Sequence, residues 1–138
     1  MSRAKFQNIR PGYVPKVPPK YGNKKTVVDG ITFDSMREAN RYRELKLLER
    51  AGKVTELQLQ VEFVLAPGVQ YAGKRPTPPL RYIADFGYFE VFQVPKEIAP
   101  TGKIYRHTVE DAKGMRTQAY KIKKHLMMTV HKIEVKEV

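Results

Sequence analysis

Residues 82–92, YIADFGYFEVF, decide the fold. Aromatic and β-branched side chains crowd this run as they do the inside of a sheet, which makes it a strong strand. Asp85 stands among them. A buried carboxylate without a partner costs several kcal/mol, roughly, so it demands a cation, a network of donors or a shifted pKa. What neutralises Asp85 must therefore be found elsewhere in the chain.

The next strand downstream supplies a candidate. VPKEIAPTGK (94–103) reads as a turn that sends the chain back through IYRHTVEDAKGM (104–115). There a period of 2 places Val109, Asp111 and Lys113 on one face and Glu110 and Ala112 on the other. Asp111 and Lys113 are then about 7 Å apart along the strand. Consecutive strands joined by a turn usually pair, so Asp85 and Asp111 are expected close together. Two carboxylates and an ammonium at one place suit Mg2+ or Mn2+, which takes one or two carboxylates and leaves its other positions to water and phosphate. Such a site supports metal-assisted hydrolysis of a phosphodiester, with Lys113 holding the attacking water or offsetting charge in the transition state.

Acid-x-Lys is a weak signal by itself, and it occurs here three times: Glu44–Lys46, Asp111–Lys113 and Glu134–Lys136. The first falls on a helix, where residues i and i+2 do not face each other. The third has no acid-bearing strand leading into it. Asp111–Lys113 does, although an ordinary cross-strand salt bridge on a half-exposed sheet also explains it.

Upstream, TVVDGITF (26–33) reads as a hairpin with Asp29–Gly30 at its turn, and DSMREANRYRELKLLERAGK (34–53) as an amphipathic helix of about four turns. Met36, Ala39, Tyr42, Leu45 and Leu48 line one side of it, and Gly52 stops it. SMRE is a capping box in which Ser35 caps the helix and Glu38 reaches back. Glu38 is equally placed to point into the carboxylate site as a third acid, and the sequence leaves both roles open. VTELQLQVEFVLAP (54–67) alternates as one long strand or two short ones, and GVQYAGKRPTPPLR (68–81) is a basic, proline-rich loop. A second helix is expected from about Thr117 with Ala119, Ile122 and Leu126 buried. KIEVKEV (132–138) closes as a strand with Ile133 and Val135 inward. This order predicts an α/β or α+β sheet with helices packed on it.

The 138 residues suffice for one domain with a real core. There are no cysteines, which excludes a disulfide framework and thiolate metal sites. No stretch is long and apolar enough for a membrane span, so the expectation is a cytoplasmic protein with no membrane partner. Net charge is +12, and Met1–Val28 carry seven cations (Arg3, Lys5, Arg10, Lys16, Lys20, Lys24, Lys25) without an acid. Residues 1–25 read as an extended, mobile, proline-rich arm and 26–138 as the folded domain. A nucleic-acid backbone is the commonest partner for such an excess. Lys24, Lys25, Lys74, Arg75, Arg116, Tyr120, Lys121 and Lys124 are the candidate contacts. His107, His125 and His131 share no metal-like spacing and are read as structural or surface residues.

The combination of FDSMREANRY (33–42), ADF (84–86) and EDAKG (110–114), in that order, resembles a small family of phage-encoded proteins assigned to the PD-(D/E)XK nuclease superfamily and formerly a domain of unknown function. The similarity runs from about Lys20 to the C-terminus. It implies a restriction-endonuclease-like αβββαβ core with a mixed central sheet flanked by helices. Asp85 would be the first metal-binding acid, Asp111 the acid of D-x-K, Lys113 the catalytic lysine and Glu38 the acid of the first core helix. Gln60 matches a glutamine often found there as a phosphate or water contact, though an outward polar residue explains it as well. Glu110 competes with Asp111 for the ligand role, and period 2 favours Asp111 unless a bulge shifts the register.

The resemblance implies a Mg2+- or Mn2+-dependent DNA endonuclease, on branched DNA such as Holliday junctions, in phage recombination, replication or packaging, in the host cytoplasm. Many junction resolvases of this fold are dimers, so a homodimer is also expected. The alternatives are a non-catalytic nucleic-acid-binding protein on a nuclease-like scaffold and a structural basic protein of a virion or ribosome.

Overall fold

A computed structural model describes residues 24–112 and 115–138. The chain runs through β1 (Thr26–Val28), β2 (Ile31–Phe33), α1 (Met36–Arg50), β3 (Val54–Ala66), β4 (Leu80–Gln93), β5 (Lys103–Asp111), α2 (Gln118–His131) and β6 (Lys136–Glu137). Strands β1 and β2 form a small hairpin, while the other four form a sheet in the order β3-β4-β5-β6. All neighbours are antiparallel except β5 and β6, which run parallel. The protein is therefore an α/β protein with a mixed four-stranded sheet. From α1 onward, its elements follow the α-β-β-β-α-β order read from the sequence.

Local chemistry sets these boundaries. Asp29 and Gly30 both take positive φ, 51° and 75°, as a type I′ two-residue turn requires, and Val28 pairs with Ile31 across it. Helix α1 begins where the Ser35 hydroxyl accepts the Glu38 N–H at 3.1 Å. It ends in a Schellman motif: Gly52 at φ 73° donates to Glu49 and Lys53 donates to Leu48. Thr117 caps α2 in the same way as Ser35, accepting the Tyr120 N–H.

Two clusters of apolar side chains cover the sheet. Phe33, Ala39, Tyr42, Leu45, Val54, Phe86 and Tyr88 form the first, beneath α1. Leu65, Tyr82, Ala84, Val109, Tyr120, Met127 and Val135 form the second, beneath α2. The helices lie on opposite faces, because the adjacent residues Val109 and Glu110 of β5 point one to the second cluster and the other to Arg41 of α1.

Three expectations are corrected. Met36 is exposed at the start of α1. On α2 the buried residues are Tyr120 and Met127, whereas Ala119 and Ile122 are exposed and Leu126 is half-buried. The helix carries apolar residues on two stripes, and the one holding Tyr120 and Met127 faces the sheet. The last strand is also only two residues long, although Val135 is buried and Ile133 packs on the second cluster as expected.

Candidate functional site

The site lies where the central sheet changes face. Tyr82, Ala84, Phe86 and Tyr88 share one parity along β4, yet the first two pack in the α2 cluster and the last two in the α1 cluster. Strand β4 therefore rotates between Ala84 and Phe86. Opposite this point the register passes from Leu59↔Phe86 to Val61↔Ala84, and Gln60 between them has φ 52°. Asp85 is the residue at the rotation.

There Asp85 meets Asp111, as the strand reading expects. The Asp85 N–H donates to Asp111 Oδ1 at 3.0 Å, and the Ala112 N–H donates to Asp85 Oδ2 at 2.9 Å. These reciprocal bonds fix both carboxyl groups on adjacent strands. The Tyr82 hydroxyl donates to Asp111 Oδ2. Burial, then the charge of Asp111, pushes the Asp85 carboxyl up to about 7, with Glu38 adding to the rise and the Ala112 N–H opposing it. Burial and the bond to Asp111 also raise the Tyr82 hydroxyl far above the usual phenol range.

Glu38 and Gln60 come to the same place. With Ile31, Thr32, Phe33, Asp34, Leu59 and Phe86 they line a cavity of about 120 Å³ that opens onto Asp85. The Ser35 hydroxyl caps the helix through the Glu38 backbone N–H, and the Glu38 residue borders the cavity of Asp85.

Glu110 is resolved as a different residue from Asp111. It is fully buried on the α1 side, where Arg41 donates Nε to Oε2 at 2.8 Å and Nη2 to Oε1 at 2.6 Å, and the Tyr88 hydroxyl donates to Oε1. The register is not shifted by a bulge at this end of β5, since Phe86 pairs with Glu110. Lys113 and Gly114 lie outside the described residues, as does the arm up to residue 23.

The candidate nucleic-acid contacts divide. Lys24 and Lys25 before the hairpin, Lys74 and Arg75 in the loop, and Lys121 on α2 are exposed. Arg116 and Lys124 both pair with Glu137, whose carboxyl they hold down at about 2. Tyr120 is corrected: it is buried, with its ring near Tyr82 and its hydroxyl donating to Glu137, so it is a core residue of α2. His107 stacks on Phe89, and His131 bonds the Val64 carbonyl at 2.7 Å. Sequence reasoning missed Tyr82, Arg41 and Asp34. Tyr82 lies three residues before Asp85 and Arg41 three residues after Glu38, but nothing in spacing alone marks either.

The fold and site define an α/β protein with a pair of facing carboxylates at a rotated central strand. Residues 18–137 match the model of a family described as "Protein of unknown function (DUF1064)", and the chain belongs to that family. No curated protein and no solved structure matches the chain.

Proposed function

We propose that the protein is a Mg2+- or Mn2+-dependent DNA endonuclease of the PD-(D/E)XK type. The observation that carries this reading is the pairing of Asp85 with Asp111 across β4 and β5, with Asp85 pushed up to about 7 chiefly by burial and by its neighbour. Two carboxyl groups so close repel as anions, and a cation between them removes the repulsion. The order of the elements around them, helix, three strands, helix and strand, agrees with the core that the sequence resemblance implies.

The donor set fits a hard divalent cation. It is two carboxyl groups, each with about four acceptor positions, so an oxygen that accepts one hydrogen bond can also face a cation. Among the described residues no group of three or more His, Cys, Asp or Glu is arranged to hold a metal. A cation would thus take Asp85 and Asp111 and complete its shell with water and phosphate, as Mg2+ prefers. When bound it supplies a Lewis acid for the scissile phosphate and an activated water. Asp111 is oriented by the Asp85 amide and the Tyr82 hydroxyl, and Asp85 by the Ala112 amide. Glu38 and Gln60 border the adjoining cavity, where they can hold water or a phosphate oxygen. Lys113 is assigned to offset charge in the transition state.

A non-catalytic nucleic-acid-binding protein on the same scaffold is the second reading. The exposed cations Lys74, Arg75 and Lys121 support it, since they can contact phosphates without a metal. A cleavage panel of single-stranded, duplex, flap and four-way-junction DNA with Mg2+ or Mn2+ separates the two and identifies the substrate. The nuclease reading expects metal-dependent cutting that is lost in Asp85→Asn and Asp111→Asn with DNA binding kept. Absence of cutting on every substrate, or equal cutting by both variants, would overturn it.

A further inference from the structure

We propose that Arg41 is a positioning residue of the carboxylate site, acting through Glu110; this rests on the reading that Asp85 and Asp111 hold a divalent cation. Glu110 is fully buried, and both of its oxygens face the planar fork of Arg41 at 2.8 and 2.6 Å. Charge-assisted bidentate bonds of this kind fix orientation as well as distance. The partners are 69 residues apart in sequence. Each adjoins a member of the site: Glu110 precedes Asp111, and Arg41 lies less than one helical turn beyond Glu38.

Helix α1 packs mainly on β3 and on the hairpin. Two arginines carry it across to the far end of the sheet: Arg41 to Glu110 of β5, and Arg37 to the Val138 carbonyl at 3.4 Å, while Arg41 is braced on its own helix by Glu44 at 2.7 Å. Of the two, only the Arg41 tie is a bidentate ion pair, and it helps to set how Glu38 stands relative to Asp111. Its neighbours complete the arrangement. The Tyr88 hydroxyl donates to the same carboxylate, and the exposed Lys136 Nζ lies 3.8 Å from it.

Stability alone is a poor explanation for such a pair. Replacing a buried ion pair by uncharged groups of similar volume is often neutral or stabilising, whereas removing one partner is strongly destabilising. Function and folding can thus be separated by changing both residues together. Arg41→Met with Glu110→Gln removes the fork and both charges while leaving Tyr88 an acceptor. Arg41→Lys is the gentler variant, which keeps the charge and loses the bidentate geometry.

The experiment is Mn2+ titration by calorimetry on the full chain, at one pH and at a temperature where circular dichroism shows each variant folded. Wild type, the double variant, Arg41→Lys and Asp111→Asn are compared. The expected result is a loss of Mn2+ affinity of about tenfold or more in the double variant, the usual scale for residues that hold metal ligands in place. A smaller loss is expected in Arg41→Lys, and the largest in Asp111→Asn. A folded double variant, or a folded Arg41→Lys, that binds Mn2+ as wild type does while Asp111→Asn has lost binding overturns the positioning role alone. If Asp111→Asn itself binds as wild type does, the metal-site reading falls and the role of Arg41 falls with it.

Discussion

At the residue scale, Asp85 carries the electrostatic burden that its place in an apolar strand foretells. Its carboxyl is raised to about 7, first by burial and then by Asp111. A group that binds its proton more tightly folded than unfolded loses stability as pH rises between its two pKa values. Here that window runs from about 4, the ordinary aspartate value, to about 7. Asp85→Asn, measured without metal, is therefore expected to raise the melting temperature at pH 8 and to gain less at pH 5, where the folded wild type already holds the proton. An equal gain at both values would show that Asp85 carries no such burden. Added Mg2+ should stabilise the wild type at pH 8 and leave Asp85→Asn unchanged. Lys113→Ala is expected to lower the cleavage rate by a factor of roughly 100 or more, the usual cost of a lost transition-state donor. DNA binding should fall only slightly, and unchanged turnover would return Lys113 to a salt-bridge role.

At the element scale, helix α1 poses the question of Glu38. Its first turn needs the Ser35 cap, and the same turn borders the Asp85 cavity. Ser35→Ala should cost about 1 kcal/mol of stability and leave the rate intact. Glu38→Gln preserves the shape and weakens any ligand role, so a rate loss confined to Glu38→Gln identifies a site residue. Matched small stability losses with full activity identify a cap. The elements were largely legible because periodicity, caps and turns are local. The hairpin turn at Asp29–Gly30, the N-cap at Ser35 and the stop at Gly52 are each written within a few residues. Asp85 and Asp111 were legible as a pair because adjacent strands are joined by one turn. The rotation of β4 was not, since it lies opposite Gln60 at φ 52°, a backbone conformation that an alternating strand pattern does not mark. Neither was the Arg41–Glu110 tie, which joins residues that no local pattern connects. Tyr120 was misread for a related reason: an aromatic among lysines suggests a surface grip, but its ring packs near Tyr82.

At the scale of the whole molecule, charge is the property that reaches beyond the site. The net charge of +12 includes Arg3, Lys5, Arg10, Lys16 and Lys20, all within residues 2–20, and deleting that segment lowers it to +7 (12 minus 5). The family match begins at residue 18, so the deletion spares nearly all of the matched sequence. Each phosphate neutralised by a lysine or arginine releases counterions, and the logarithm of affinity then falls with the logarithm of salt by about 0.9 per contact on duplex DNA. If about three to five of these cations touch DNA, removing them should shrink that slope by roughly 3 to 4 units. Metal-dependent cutting should persist at saturating substrate, because Asp85, Asp111 and Glu38 all lie outside the deleted segment. Binding measured from low to high salt for the full chain and the deletion checks this directly. A parallel pair of salt dependences would show that the N-terminal cations do not contact the phosphates, and DNA affinity would then have to come from exposed cations of the folded part such as Lys74, Arg75 and Lys121.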